Sequence, residues 1–244
     1  MATCAHRSRS RVLETKVRTS LLTPEQSDRV GAILGQNTGD SIIYKYNIPM
    51  TYKLMSCLRN DQIFRVALSP DPRYLNDEVI NFYIAMLNER GLPNFYMHST
   101  FFYSKLARNG DYNYKPVKKW CRKVDLTNVR TLCVPHHIGM HWTLTYVDIV
   151  NRTVTYYDSL GDNGGEYIAH VIKYMTDKFM IDAKEWTKVP RGGGPQQENR
   201  VDCGVFVLKT ADYISRGMTL DFTQVDIPNF RNELCFEIAN GRFL

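Results

Sequence analysis

The stretch Met140-His-Trp-Thr-Leu-Thr-Tyr-Val147, followed by Thr153-Val-Thr-Tyr-Tyr-Asp158, decides how this chain folds. Both segments are rich in β-branched and aromatic residues, which suit a pleated, half-buried surface, and both are predicted strands. Asn151-Arg152 between them reads as a turn, so the two form a predicted antiparallel hairpin. Paired residues in such a hairpin share a constant sum of residue numbers. For His141 and Asp158 that sum is 299, which centres the pairing inside the Asp148–Arg152 connection. The two side chains then fall opposite each other or one register step apart. At about 5 Å a carboxylate can hold an imidazole by one ring nitrogen and leave the other free.

A partner for that nitrogen lies downstream. Asp202-Cys203-Gly204 sits between a polar loop, Arg191-Gly-Gly-Gly-Pro-Gln-Gln-Glu-Asn-Arg-Val201, and an apolar run, Val205-Phe-Val-Leu-Lys-Thr-Ala-Asp-Tyr-Ile214. Val207, Ala211 and Ile214 recur at helical spacing. Cys203 is therefore predicted on the first turn of a buried helix. Unpaired N–H groups and the positive end of the helix dipole favour thiolate over thiol there. Gly204 is expected to clear space for whatever approaches the sulfur. Gln197, six residues before Cys203, could donate to an oxyanion together with the Cys203 backbone N–H. Each residue alone has a bland reading: a packed cysteine, a cross-strand polar pair, a solvated glutamine. Their combination points to acyl transfer with Cys203 as nucleophile, His141 as base and Asp158 as its orienting group.

Composition allows this. The chain has 244 residues, 43% of them apolar, enough for one or two compact domains with a core. No run approaches 20 apolar residues, so no membrane span is expected, and the basic start lacks the apolar segment of a signal peptide. Six dispersed cysteines without a C-x-x-C pair argue against a zinc site or a disulfide scaffold and for a reducing compartment, intracellular in nucleus or cytoplasm. Residues 1–20 carry +4 of the net +6 and read as a disordered extension. A nuclear-import signal or a nucleic-acid contact is the alternative there, although nucleic acid is not the expected partner of the chain. A second basic cluster, Lys115, Lys118, Lys119, Arg122 and Lys123, surrounds Trp120 and reads as a solvated face, with an acidic modifier surface as the alternative.

Gly139-Met-His-Trp142, Tyr156-Tyr-Asp-Ser-Leu-Gly161 and Pro195-Gln-Gln-Glu-Asn-Arg-Val-Asp-Cys-Gly204 closely resemble the ubiquitin-like-protein proteases, the Ulp/SENP cysteine peptidases that process and remove SUMO. The resemblance extends to Leu75-Asn-Asp-Glu-Val-Ile-Asn-Phe-Tyr83, Val117-Lys-Lys-Trp120, Phe222-Thr-Gln and Ile227-Pro-Asn-Phe-Arg231, so it spans residues 75–244. It implies an α+β, papain-like (adenain-like) fold with a central mixed β-sheet flanked by helices. It places base, orienting acid, oxyanion glutamine and nucleophile on His141, Asp158, Gln197 and Cys203, with no metal or other cofactor. The implied partners are SUMO, or a related ubiquitin-like modifier, and its conjugated proteins, with the enzyme a monomer.

Members of that family thread a Gly-Gly tail through a slot roofed by aromatic rings, which only glycine passes without a clash. Trp142 matches one ring. Tyr74 stands where the other is usually tryptophan, and Asp77 matches a position that contacts the modifier. The implied reaction is two-step hydrolysis after the modifier's terminal glycine through a thioester. Three alternatives remain: a protease for a Nedd-type modifier, a catalytically weak modifier-binding module, and an acyltransferase, for which no acyl-donor site is visible. The helix Leu75–Tyr83 resembles the SUMO branch more closely.

The predicted organisation is an extension over 1–20 and a peptidase domain over 21–244, with its core motifs in 74–244. Thr23-Pro24-Glu25-Gln26 is a capping-box helix start. Ile42–Ile48 reads as a strand, Thr51–Leu58 as a short helix, and 59–72 as a surface loop longer than its family counterpart. Helices are predicted over Asp77–Leu87 (ending near Gly91), Phe95–Leu106, Gly164–Phe179 and Asp226–Asn240. Thr131–Pro135 reads as a buried strand leading into His136 and His137, taken as loop residues.

Overall fold

The computed structural model describes residues 21–60, 73–91, 93–122 and 128–244. The predicted extension over 1–20, most of the 59–72 loop and Lys123 lie outside the described residues.

Five strands make the central sheet: β3 (Phe95–Met97), β6 (Thr131–Ile138), β7 (His141–Asp148), β8 (Thr153–Tyr157) and β9 (Thr187–Val189), adjacent in that order, while β4 (Ala107–Arg108) and β5 (Asp111–Tyr112) pair with each other outside it. The β6–β7 and β7–β8 pairs are antiparallel and the two outer pairs parallel, so the sheet is mixed. Strand alternation divides its side chains between two cores. Cys133, Trp142 and Leu144 face one cluster with helices α3 (Asp77–Gly91), α6 (Cys203–Ser215) and α7 (Ile227–Asn240). Leu132, Val134, Val147, Val154 and Tyr156 face the other, with α4 (Phe101–Leu106) and α5 (Gly165–Phe179). The expected α+β class, a mixed sheet flanked by helices, is what the chain adopts.

Helix starts follow the sequence closely. In α1 (Pro24–Leu34) the Thr23 hydroxyl accepts from Gln26 N and the Gln26 side chain from Thr23 N, a complete capping box with Pro24 in the first turn. Thr51 caps α2 (Tyr52–Met55), which tightens into a 3-10 turn over Ser56–Leu58. Asn76 caps α3 by accepting from Val79 N at 2.9 Å.

Three expectations change. Ile42–Ile48 is not one strand: Ile42–Lys45 belongs to β1 (Ser41–Lys45), Tyr46-Asn47 is a hairpin turn, and Ile48 opens β2 (Ile48–Thr51). Tyr46 and Asn47 both take positive φ, 58° and 62°, as a two-residue turn requires. Phe95–Leu106 is a strand and then a helix: Phe95 and Met97 are buried against β6, and α4 begins only at Phe101. His136 and His137 belong to β6 rather than to a loop, and His136 is fully buried. β3 pairs along β6 only to Cys133, so Pro135 lies beyond the last β3 rung, where no strand among the described residues pairs with β6 on that side.

The helix expected to be buried behind Cys203 is α6, and every residue from Cys203 to Tyr213 is buried. Lys209 and Asp212 tolerate this because they are paired, Lys209 with Glu233 at 3.4 Å and Asp212 with Arg90 and Arg216 at 2.6 Å each. A helix enclosed on all sides holds its first residue rigidly. Each fully buried Val, Leu or Phe along it contributes roughly 1.5–3 kcal/mol.

Candidate active site

The β6–β7 connection is a two-residue turn, Gly139-Met140, with Gly139 at φ +62°, and it makes His141 the first residue of β7. On the other side of β7 the ladder with β8 runs through Leu144↔Tyr157 to Asp148↔Thr153, a constant sum of 301 rather than 299. The connection is the four-residue segment 149–152, one residue shorter than the Asp148–Arg152 connection expected, with Arg152 at φ +53°. Asp158 therefore lies one register step from His141, on the diagonal. It reaches the imidazole because the chain turns at once: Leu160 N donates to Asp158 Oδ1 at 2.7 Å and Gly161 N to Asp158 O at 3.0 Å, with Gly161 at φ +82°. His141 Nε2 and Asp158 Oδ1 are 2.7 Å apart.

That contact assigns the ring: Nε2 donates to the carboxylate, which leaves Nδ1 as the nitrogen available to the Cys203 side chain. Burial alone would lower the His141 pKa, but the hydrogen bonds to Asp158 and Cys203 outweigh it and push it up to about 9. Asp158 shifts the other way: burial opposes ionisation, while the bonds from His141 and the Leu160 N–H hold its carboxyl below the usual range.

Cys203 opens α6 and is fully buried, in the same apolar cluster as Trp142 and Leu75. Gly204 does not clear room for an incoming molecule. A Cβ there would lie 2.9 Å from Leu75 Cβ and 3.0 Å from Leu75 Cγ, so the missing side chain admits Leu75 against the first turn of α6. Asp202, at the N-cap, makes no side-chain cap bond. Its carboxylate instead accepts from Arg231 (Nε 2.9 Å, Nη2 2.5 Å), Asn199 Nδ2 (2.5 Å) and Gln224 Nε2 (2.8 Å). Arg231 also donates to the carbonyls of Cys57, Arg73 and Val201. Asp202 and Arg231 are both buried, so this hub fixes where α6 begins.

Gln197 arrives along the glycine-rich loop. Gly192 N donates to Tyr156 O at 2.7 Å, and a Cβ on Gly192 would come within 2.7 Å of both Tyr157 and Thr155, so the loop can lie flat on β8 only with glycine there. Gln197 is buried, with its backbone N donating to Ser159 O at 2.8 Å. Its Oε1 accepts from Ser159 Oγ at 2.6 Å and its Nε2 donates to Asn199 O at 2.5 Å. Asn199 then bonds Asp202, the residue before Cys203.

The three remaining positions lie around this centre. Trp142 is buried, stacks on His137 (centroids 4.1 Å, 16°) and donates from Nε1 to Leu75 O at 3.0 Å. Tyr74 is half-buried on the main core, one residue from that carbonyl. Asp77, first residue of α3, is half-buried at the edge of a groove of about 490 Å³ that also includes Pro49, Ile84 and the exposed Phe101.

Sequence reasoning missed Ser159, Asn199, Leu75 and Arg231. Asn199 had a local signal, an Asx residue three before Asp202. Arg231 ends the Ile227–Arg231 motif, but its role had no local signal, its partner Asp202 being 29 residues away.

The profile of the Ulp1 protease family, C-terminal catalytic domain, matches residues 73–242. Sentrin-specific protease 2 of Homo sapiens is 33% identical over 236 residues, covering 91% of this chain and 38% of that protein. Putative ubiquitin-like-specific protease 1B of Arabidopsis thaliana is 34% identical over 241 residues, covering 91% of this chain and 67% of that protein. The chain thus spans about two fifths of the length of the sentrin-specific proteases it matches. In three dimensions, the C-terminal Ulp1 protease domain solved in complex with Smt3, the yeast ortholog of SUMO, superimposes with a TM-score of 0.77 at 24% identity, covering 90% of this chain and 96% of that one. Family profile, full-length relatives and fold agree, and the chain belongs to the Ulp1 protease family.

Proposed function

We propose that this chain is a cysteine peptidase that hydrolyses the bond after the C-terminal Gly-Gly of SUMO, whether to a lysine ε-amine or to a precursor's C-terminal peptide. The contact that carries the reading is His141 Nε2–Asp158 Oδ1 at 2.7 Å, on a ring whose pKa both Asp158 and Cys203 raise. Sentrin-specific proteases among the relatives, and the SUMO-type protein bound to the structural neighbour, supply the substrate class.

In this mechanism Cys203 Sγ attacks the glycine carbonyl and forms an S–C bond. The oxyanion is met by the Cys203 backbone N–H and the Gln197 Nε2–H that Asn199 does not use. Protonated His141 gives its proton to the leaving amine as the C–N bond breaks. Water then loses a proton to His141 and attacks the thioester, releasing the modifier's carboxylate and the thiol. Asp158 keeps Nε2 occupied throughout. Because Cys203 is enclosed, the substrate tail has to pass between side chains of its own cluster, with Trp142 on one side and the Tyr74-Leu75 segment on the other. A Gly-Gly tail is the narrowest that a polypeptide offers. The groove beside Asp77 is the surface we assign to the modifier's globular body.

Incubation with SUMO, Nedd-type modifier and ubiquitin, each bearing a C-terminal vinyl sulfone, tests this. A covalent adduct with SUMO alone, lost in Cys203→Ser, supports both nucleophile and modifier class. Adduct with another modifier overturns the specificity, and SUMO binding without adduct overturns the chemistry.

A further inference from the structure

Asp158 and Ser159 are neighbours in one turn, and each holds a different part of the site. The Asp158 carboxylate orients His141. The Ser159 hydroxyl lies 2.6 Å from Gln197 Oε1, with both residues buried. The turn also grips the glutamine's backbone: Gln197 N donates to Ser159 O at 2.8 Å, and Gln196 Nε2 donates to Asp158 O at 3.2 Å.

The amide orientation follows from its two partners. The Asn199 carbonyl can only accept, so the nitrogen of the Gln197 amide must face it, and the oxygen must face Ser159. A serine hydroxyl can either donate or accept, and here it donates. One N–H of the amide is then consumed by Asn199, the oxygen is consumed by Ser159, and a single N–H remains in a fixed direction. Without the hydroxyl, the buried oxygen loses its side-chain donor and the amide plane is held at one end only.

We propose that Ser159 is a positioning residue that aims the free Gln197 Nε2–H at the developing oxyanion, so that one turn sets both the base and the oxyanion donor. The inference rests on the proposed reading of Gln197. Ser159 touches no reacting atom in this scheme. Its effect belongs to the transition state, where the negative charge appears, and not to substrate binding or to the thiol–imidazole pair.

The experiment compares Ser159→Ala, Gln197→Ala and the double variant on a SUMO precursor. A lost oxyanion donor costs on the order of 100-fold in kcat, and loosening it about tenfold, with KM unchanged. Ser159→Ala is expected to lower kcat about tenfold, Gln197→Ala about 100-fold, and the double variant no further than Gln197→Ala. SUMO ending in a glycine aldehyde, which places an oxyanion on the enzyme when Cys203 adds to it, should bind Ser159→Ala about tenfold less tightly. The rate and pH profile of Cys203 alkylation by iodoacetamide, which forms no oxyanion, should not move.

If alkylation falls in step with kcat, Ser159 acts through Asp158 or through general packing, and the proposal is overturned. If Gln197→Ala is impaired while Ser159→Ala and its aldehyde affinity match wild type, the proposal fails and the reading of Gln197 stands. An unimpaired Gln197→Ala overturns both. Should Ser159→Ala not fold, the isosteric pair Ser159→Thr and Ser159→Val carries the same comparison, with activity expected to follow the hydroxyl.

Discussion

His141 and Asp158 meet at 2.7 Å although no rung of the hairpin joins them. The β7–β8 ladder stops at Leu144↔Tyr157, and β7 runs on to His141 paired only with β6. What closes the gap is the turn after β8, where the Leu160 N–H takes the carboxylate and holds it toward β7. The pair is therefore built by the Asp158–Gly161 turn as much as by the strands.

That pair sets a pH window. His141 is raised to about 9, so its contribution to stability is complete below the unfolded value near 6.5 and is lost as pH rises through about 9. Asp158 is depressed, so its contribution is present above an unfolded value of about 4 and is lost as pH falls through its lower folded one. Asp158→Asn removes a bond that raises His141. The alkaline limb of kcat/KM, expected near pH 9 in the wild type, should move down by about one unit or more. The difference in Tm between wild type and variant should be largest at pH 5–7 and shrink above 9. An alkaline limb that stays in place in Asp158→Asn would show that another group sets it.

Gly204→Ala tests the close approach of Leu75. The added Cβ would meet three Leu75 atoms at 2.9–3.1 Å, on a helix turn that is buried on all sides. Overpacking of this kind costs about 1–3 kcal/mol. We expect a Tm lowered by several degrees together with reduced activity, since Cys203 is the neighbouring residue. Leu75→Ala in the same chain should recover part of the Gly204→Ala loss, which a double-mutant cycle by thermal melting will read. Strictly additive losses would mean that the Leu75 side chain beyond Cβ is not the obstacle.

Much of this architecture was legible because its signals are local. The capping box at Thr23 needs four consecutive residues, and the β7–β8 hairpin needs about twenty. Cys203 at the head of a helix, with His141 and Asp158 on one hairpin, followed from such short-range patterns. Misreadings came where tertiary partners override composition. The β1–β2 turn uses a tyrosine at positive φ, which no propensity favours, and Phe95–Met97 is a strand because β6 lies beside it. The purpose of Gly204 was invisible for the same reason, because Leu75 comes from 129 residues away. Ser159, Asn199 and Arg231 serve the site through side-chain bonds, which leave no periodic trace.

Trp142→Phe separates packing from anchoring. Phenylalanine keeps an aromatic face for His137 but loses the Nε1–H that Leu75 O accepts at 3.0 Å. A buried carbonyl left without its donor costs about 1–3 kcal/mol. The Tyr74-Leu75 segment should then be less firmly held over the path to Cys203. The expected result is a Tm lowered by a few degrees and a several-fold rise in KM for a SUMO precursor, with iodoacetamide alkylation of Cys203 unchanged. A normal KM at reduced Tm would confine the indole N–H to a stabilising role.

Arg231 presents the largest single stake. It is almost wholly enclosed and ties Asp202, at the start of α6, to the carbonyls of Cys57, Arg73 and Val201. Burial alone would raise the Asp202 pKa, but the Arg231 charge and three side-chain bonds hold its carboxyl below the usual range. Arg231→Met leaves that carboxylate buried without its counter-charge, a change that typically costs about 3–5 kcal/mol. For a domain of this size the corresponding fall in Tm is on the order of 10 °C. Arg231→Lys restores the charge but not the planar fork, so it should recover only part of that loss. Asp202→Asn in the Arg231→Met background removes the stranded charge and should regain stability. Activity should not return with it, because the carbonyls of Arg73 and Val201 remain untied and Cys203 is no longer held against the Tyr74-Leu75 segment. Thermal melts paired with kcat/KM on all four chains would decide this, and recovery of both quantities in the double variant would reduce Arg231 to a counter-ion.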